Sequence, residues 1–418
     1  MADHDDLLKR FAPLLRYDSN EQYFADSAAQ WTDCPNNELR RADVAPGKKG
    51  EVLARAVPSG QQTKLTLAFL GPAKYASGEP FEKGDIIGHS GRDYREAYVR
   101  LRKEHPKLRN VMYGRTVEQN GRLWLQYWFW YFYNDYQLAL GAGLHEGDWE
   151  MVQLRMHPSE ERPDLAVNAQ HRYGEKRSWG EVHRDGERPI IYVARGSHAA
   201  YFEPGFHQTE AWYDLADGKR PAPELTLELI RPTHAWMLWK GRWGDTKPDP
   251  RDKAGLHSNA PTGPGRKTQW SKPNDWLNEA TETKLGEAQE RPEVRAVRDR
   301  RGLRIDYDFR ARDPRPAALV VTVNSRDDAG VPPQTHTFER KDFDTSGKGH
   351  LATGVELDPA KHYDVYTSTV AGDPPKPSES RLSEIEPAGH AGRSEKPSLP
   401  ARLTILLSRL VARIRGDR

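Results

Sequence analysis

Residues Arg122–Met156 read RLWLQYWFWYFYNDYQLALGAGLHEGDWEMVQLRM, and their reading decides the fold. Two apolar runs flank a glycine-bearing loop that ends in His145, Glu146, Asp148 and Glu150. The run Leu123–Tyr133 is too continuous for a half-solvated strand and too aromatic for a helix. It predicts a strand buried on both faces, entered through an Asn120-Gly121 hairpin turn. The second run starts at Asp148. Strand side chains alternate, so Glu146, Asp148 and Glu150 are expected on one face if the strand reaches back that far, with Trp149 and Met151 on the other. Three neighbouring acids repel, and burial worsens the conflict, so a divalent cation among them would resolve it. The competing reading places them on a solvated rim, capped by nearby arginines.

Composition narrows the function classes. At 418 residues the chain can hold two or three domains, and 34 glycines with 31 prolines suit a β-rich, turn-rich architecture. Lys plus Arg total 63 against 61 for Asp plus Glu, a net charge of +2, which argues against a nucleic-acid binder. One cysteine, Cys34, excludes an intramolecular disulfide. The acidic start MADHDDLLKRF lacks the basic, apolar pattern of a secretory signal, and no run reaches the roughly 18 apolar residues of a spanning helix. The expectation is a cytoplasmic protein.

In chain order, Asp6–Phe11 predicts a short helix and Leu14–Tyr17 a strand. Residues 33–60 read as a long polar loop, Thr63–Phe69 as a strand, and Arg92–Lys103 as a helix with Tyr94, Ala97, Tyr98 and Leu101 on one face. Residues 157–188 read as a charged loop. Pro189–Ala194 is a buried-strand pattern running into Arg195-Gly196-Ser197-His198, where His198 is either a hydrogen-bonded core residue or part of a site at the sheet's end. Glu224–Ile230 predicts a strand, and residues 245–276 an irregular wrap. The first domain is therefore drawn as 1–280, a β-sandwich with peripheral helices, with a linker at 281–293. Six short strand patterns then define a smaller β-sandwich of fibronectin type III or immunoglobulin-like kind over 294–371.

A proline- and serine-rich linker is expected over 372–400. The last element, 401–416, predicts a basic amphipathic helix. Leu403, Leu406, Leu407, Leu410 and Ile414 form its apolar stripe, bordered by Arg402, Arg409 and Arg413. Such a helix suits either peripheral attachment to an anionic membrane or docking on a protein partner.

The segment Leu8–Tyr17, the strand Trp124–Trp128, His145–Glu150 and Tyr192–Phe202 together resemble the vacuolar protein sorting-associated protein 62 family over roughly residues 1–280. More distantly, the aromatic strand followed by His145-x-x-Asp148-x-Glu150 is similar to the necrosis- and ethylene-inducing cytolysins, whose signature is Gly-His-Arg-His-Asp-Trp-Glu on a β-sandwich. That resemblance implies a divalent cation, Ca2+ or Mg2+, held by His145, Asp148 and Glu150, with Asp135 matching a further family aspartate. It also implies binding of membrane sphingolipid glycan head groups. The signature's Arg-His is Glu146-Gly147 here, and its leading Gly is Leu144.

These readings converge on cation-dependent binding of a membrane lipid or glycan head group, membrane-perturbing or trafficking-related, with Glu146 and His198 supporting the ligands. The rivals are a metal-dependent hydrolase using Glu150 or His198 as base, and a non-catalytic trafficking or scaffold protein. Neither a Gly-x-Ser-x-Gly nor a His-Glu-x-x-His motif supports the hydrolase.

Overall fold

The aromatic run forms a thirteen-residue strand, Arg122–Asn134, buried at every position after the first. Its lack of alternation follows from its place: both faces of its sheet are covered, so neither tolerates a solvated side chain. The computed structural model describes residues 4–43, 49–60, 62–106, 109–136, 143–159, 161–171, 173–208, 213–231, 233–245, 260–282, 294–299, 302–310, 315–325, 327, 334–371 and 376–388. The fold is mainly β. Two compact units divide the chain: Met1–Gly205 with Asp214–Leu285, and Phe206–Tyr213 with Gly286–Arg418.

In the first unit a seven-stranded sheet is central. Its order is Thr226–Leu229, Val111–Gln119, Arg122–Asn134, His145–Met156, Pro163–Gln170, Tyr173–Ser178, Thr281–Glu282. The middle five run antiparallel, and each edge strand joins in parallel. On one face Trp128, Trp130, Trp149 and Met151 pack with Trp31, Leu39, Ile87 and Trp243, joining the sheet that contains Asn37–Arg40, Val52–Arg55 and Ile86–His89. On the other face Leu125, Tyr127, Phe129, Val152 and Leu154 meet Leu15, Tyr17, Ile191 and Val193 from the sheet containing Leu14–Tyr17 and Arg188–Val193. Three sheets are therefore layered about the aromatic strand. The helix Tyr94–Glu104 buries Tyr94, Ala97, Tyr98 and Leu101, the face its spacing predicts.

Several segments differ from their sequence reading, for one shared reason. The supposed loop 33–60 contains the strands Asn37–Arg40 and Val52–Arg55, and the supposed loop 157–188 contains Pro163–Gln170 and Tyr173–Ser178. Their charged residues are paired within the fold. Glu38 binds Lys49 and Arg55, buried Arg40 binds Asp43 and Asp245, and Asp164 takes both Arg122 and Arg155. A polar sequence thus forms buried strands once each charge finds its partner. Thr63–Phe69 is only a two-residue strand and a 3-10 turn.

In the second unit seven of the described strands form antiparallel sheets of three and four. Val294, Leu303, Ile305 and Leu351 of one meet Leu319, Val321, Val365 and Ile385 of the other in a single core. The seventh strand, Lys376–Ile385, falls where a linker was expected and pairs along Tyr363–Ala371. The expected helix at 401–416 lies outside the described residues. Among the described residues no helix is long and apolar enough to cross a membrane.

Candidate functional site

The acidic strand begins at His145 and pairs with the aromatic strand through Asn134 and His145, Tyr133 and Glu146, Tyr131 and Asp148, and Phe129 and Glu150. Between the second and third pairs stands Gly147 at φ +63°. A Cβ there would lie 2.1 Å from the Trp243 carbonyl oxygen and 2.4 Å from the Trp130 ring, so only glycine fits. This kink breaks the alternation. Glu146 turns to the tryptophan face, where its carboxylate accepts from the backbone N–H of His89 at 2.5 Å and of Asp245 at 2.7 Å. The expected common face for Glu146, Asp148 and Glu150 therefore holds for the last two only.

On the opposite face the principal counter-ion of Asp148 is His198. Its Nδ1 donates to Asp148 Oδ2 at 3.0 Å, its Nε2 lies 3.7 Å from Glu21 Oε1, and its ring stacks on Tyr131 at 3.8 Å. Burial opposes charging this imidazole, but Glu21 and Asp148 outweigh it and raise the pKa to about 9. The pairing in turn outweighs the burial of Asp148 and holds its carboxyl below the usual range. His198 is placed by the turn after Arg188–Val193 and adopts φ +55°. Gly196 in that turn donates its N–H to Glu21 and lets the Asp135 backbone approach closely. Asp135 is buried beside this turn.

His145 is prepared differently. Its Nδ1 faces the Gly147 carbonyl at 2.8 Å and must carry the proton, which leaves Nε2 as acceptor from Asn134 Nδ2 at 2.8 Å. Burial lowers its pKa, so the ring is neutral. A neutral imidazole with one nitrogen fixed by a backbone carbonyl is the form that ligates metals. Glu150, one step beyond Asp148 on the same face, is pushed well above the carboxylate range by burial, then by the charges of Asp148 and Asp214.

Asp135, Asp148 and Glu150 carry oxygens and His145 a nitrogen of the type a hard divalent cation takes. Two atoms beside them, Asn134 Oδ1 and His198 Nε2, are buried without a hydrogen bond. The four donors are not drawn in to ligand distances: among the described residues no three His, Cys, Asp or Glu side chains form a metal-holding group.

Next to Glu150 lies a second network. Asp214, fully buried, accepts from Ser197 Oγ at 2.5 Å, Tyr201 OH at 2.5 Å and His171 Nε2 at 2.8 Å. Sequence reasoning found neither Asp214, His171 nor Glu21. They come from three segments far apart in the chain, so no local spacing joins them.

No family model matches the chain. It is similar to vacuolar protein sorting-associated protein 62 of Saccharomyces cerevisiae, 27% identical over 295 residues, which cover 60% of this chain and 56% of the relative. The chain thus spans about half the length of that curated relative. Solved structures with some likeness include "Toxin fold for microbial attack and plant defense", at 14% identity and TM-score 0.28, covering 67% of this chain and 92% of that one. "NLPPya in complex with glucosamine" matches at 14% identity and TM-score 0.28, covering 67% and 91%.

Proposed function

We propose that the chain binds membrane lipid or glycan head groups through a divalent cation, Ca2+ or Mg2+. One observation carries the reading. Asp148 and Glu150 share a buried face, and burial with the charges of Asp148 and Asp214 holds the Glu150 carboxyl well above its usual range although Lys267 acts on both acids in the opposite sense. A cation would offset both acids, with Asp148, Glu150 and Asp135 supplying oxygens and the prepared Nε2 of His145 a nitrogen. Its remaining positions would take hydroxyl or phosphate oxygens of the head group. The His198 imidazolium supplies part of that positive charge in the cation-free protein, which explains how the acids stay buried.

The test is calcium titration calorimetry with elemental analysis, on the wild type and Asp148→Ala, followed by flotation with glycosylated or anionic liposomes. About one calcium per chain, lost in the variant, with calcium-dependent flotation, supports the reading. Absence of calcium uptake by the wild type removes it. The relative's name favours a second reading, a trafficking role in which the same cluster only knits the core; equal folding and equal liposome behaviour with and without calcium would select it.

A further inference from the structure

His89 ends the strand Ile86–His89, and its ring is fully buried. Both ring nitrogens face acceptors. Nδ1 lies 3.2 Å from Oδ1 of Asn37, its register partner on the neighbouring strand, and Nε2 lies 3.0 Å from Asp93 Oδ1. The Asn37 amide cannot be turned round, because its Nδ2 donates to the Trp31 carbonyl at 2.7 Å. A neutral imidazole has one N–H and would set a lone pair against one of these oxygens. The Cys34 Sγ, 3.7 Å from Nδ1, could donate to a neutral ring, but Asn37 Oδ1 would still face that lone pair at the shorter distance. The arrangement as a whole fits the imidazolium, with both nitrogens donating.

Asp93 makes this bond at the expense of its own helix. It holds the N-cap position of Tyr94–Glu104, where an aspartate ordinarily accepts from a backbone N–H of the first turn, and it makes no such bond. A Cβ at Gly91 would stand 2.3 Å from Asp93 Oδ1, so the missing side chain leaves the bond its room. Burial pushes the Asp93 carboxyl up, but the hydrogen bond from His89 and the charges of His89 and Arg100 outweigh it and hold the carboxyl below its usual range. Also facing His89 are the Tyr94 ring, with centroids 5.5 Å apart, and Glu146, which accepts the His89 backbone N–H at 2.5 Å. Burial pushes the Cys34 thiol up to about 12, so it stays protonated beside the ring.

We propose that His89 is a proton-operated latch. Its imidazolium ties the helix Tyr94–Glu104, through Asp93, to Asn37 at the start of the neighbouring strand, closed in a mildly acidic medium and loosened as pH rises. The carboxylate holds the Nε2 proton the more firmly, because a charged acceptor makes the stronger bond. The Nδ1 proton therefore leaves first, and Asn37 Oδ1 is then buried against a lone pair, which costs the closed state. Above the ordinary histidine value of roughly 6.5 the closed state thus holds one proton more than the opened one, so its advantage is complete at low pH and fades as pH climbs. The latch is independent of any bound cation.

Cys34, the chain's one cysteine, is buried beside the ring and reports the opening. Iodoacetamide labelling of the full native chain is timed from about pH 6 to about pH 9 and divided by the rate for the urea-unfolded chain at each pH, which cancels the thiol's own ionisation. The expected result is a protection that falls above about pH 6.5, approaching about tenfold per pH unit, the slope of one linked proton. In His89→Gln, which keeps an N–H donor but has no proton to lose, protection should be level across this range. Asp93→Asn alters a carboxylate that is 41% exposed and removes the need for the second proton, so it should level the slope too, and it serves if His89→Gln does not fold. Nitrogen-15 spectra of the histidines, with the His89 signals identified by their change in the variants, should show both ring nitrogens protonated at about pH 6 in the wild type and in Cys34→Ala alike. Wild-type protection that stays level, a slope retained in the variants, or a singly protonated ring at about pH 6 overturns the latch.

Discussion

His198 donates from Nδ1 to Asp148 Oδ2 at 3.0 Å inside a layer where both side chains are buried, so the acid and its counter-ion enter the core as one unit. Removing one partner leaves an uncompensated charge with no water to screen it. His198→Asn keeps a residue that accepts the left-handed backbone and deletes the charge. It should destabilise the first unit by about 3–5 kcal/mol, read by urea unfolding at neutral pH. A loss within the scatter of surface substitutions would refute the counter-ion role.

Gly147 sets the two faces of the acidic strand. Gly147→Ala forces a Cβ into the Trp243 carbonyl and Trp130 ring while requiring a positive φ. We expect a loss of at least about 3 kcal/mol, with altered tryptophan fluorescence. An alanine protein of unchanged stability and spectrum would show that the kink is not needed.

The His171 and Asp214 pair gives a pH signature with a definite sign. Asp214 raises the His171 pKa despite burial, so this contribution is full below the ordinary histidine value of roughly 6.5 and fades as pH climbs through the folded value. Asp214 itself is held low, chiefly by His171 against its burial. Its contribution is present above roughly pH 4 and is lost on acidification through the folded value. The stability difference between wild type and His171→Asn should therefore be larger at pH 6 than at pH 10. A difference that grows toward alkaline pH contradicts the assignment.

Trp130 stands at the centre of the tryptophan layer, in ring contact with Trp31, Trp149 and Trp243. Trp130→Ala should cost about 3–5 kcal/mol, measured by thermal or urea unfolding. A cost below about 1 kcal/mol would mean that the neighbouring rings collapse into the space.

What could be read directly from the chain were the features set by local pattern. Leu123–Tyr133 has no polar interruption except Gln126, so a doubly covered strand was the only economical reading. The helix Tyr94–Glu104 showed its buried face in its spacing. The strands Asn37–Arg40 and Tyr173–Ser178 stayed hidden because Arg40, Glu38, Glu175 and Arg177 look solvated until Asp245, Lys49 and Glu203 arrive from elsewhere. The site was legible as an acidic motif with one histidine. Its kink at Gly147 and its counter-ion could not be read, since alternation assumes regular strand geometry and His198 lies fifty residues from Asp148 in sequence.

The central claim is that a cation can take its place between Asp148 and Glu150. High-resolution diffraction from crystals grown with calcium tests it most directly. The account predicts one strong peak at about 2.3–2.6 Å from oxygens of Asp148 and Glu150, with His145 Nε2 turned toward it. Unchanged density, with His198 still bonded to Asp148 and no peak between the acids at saturating calcium, would contradict it.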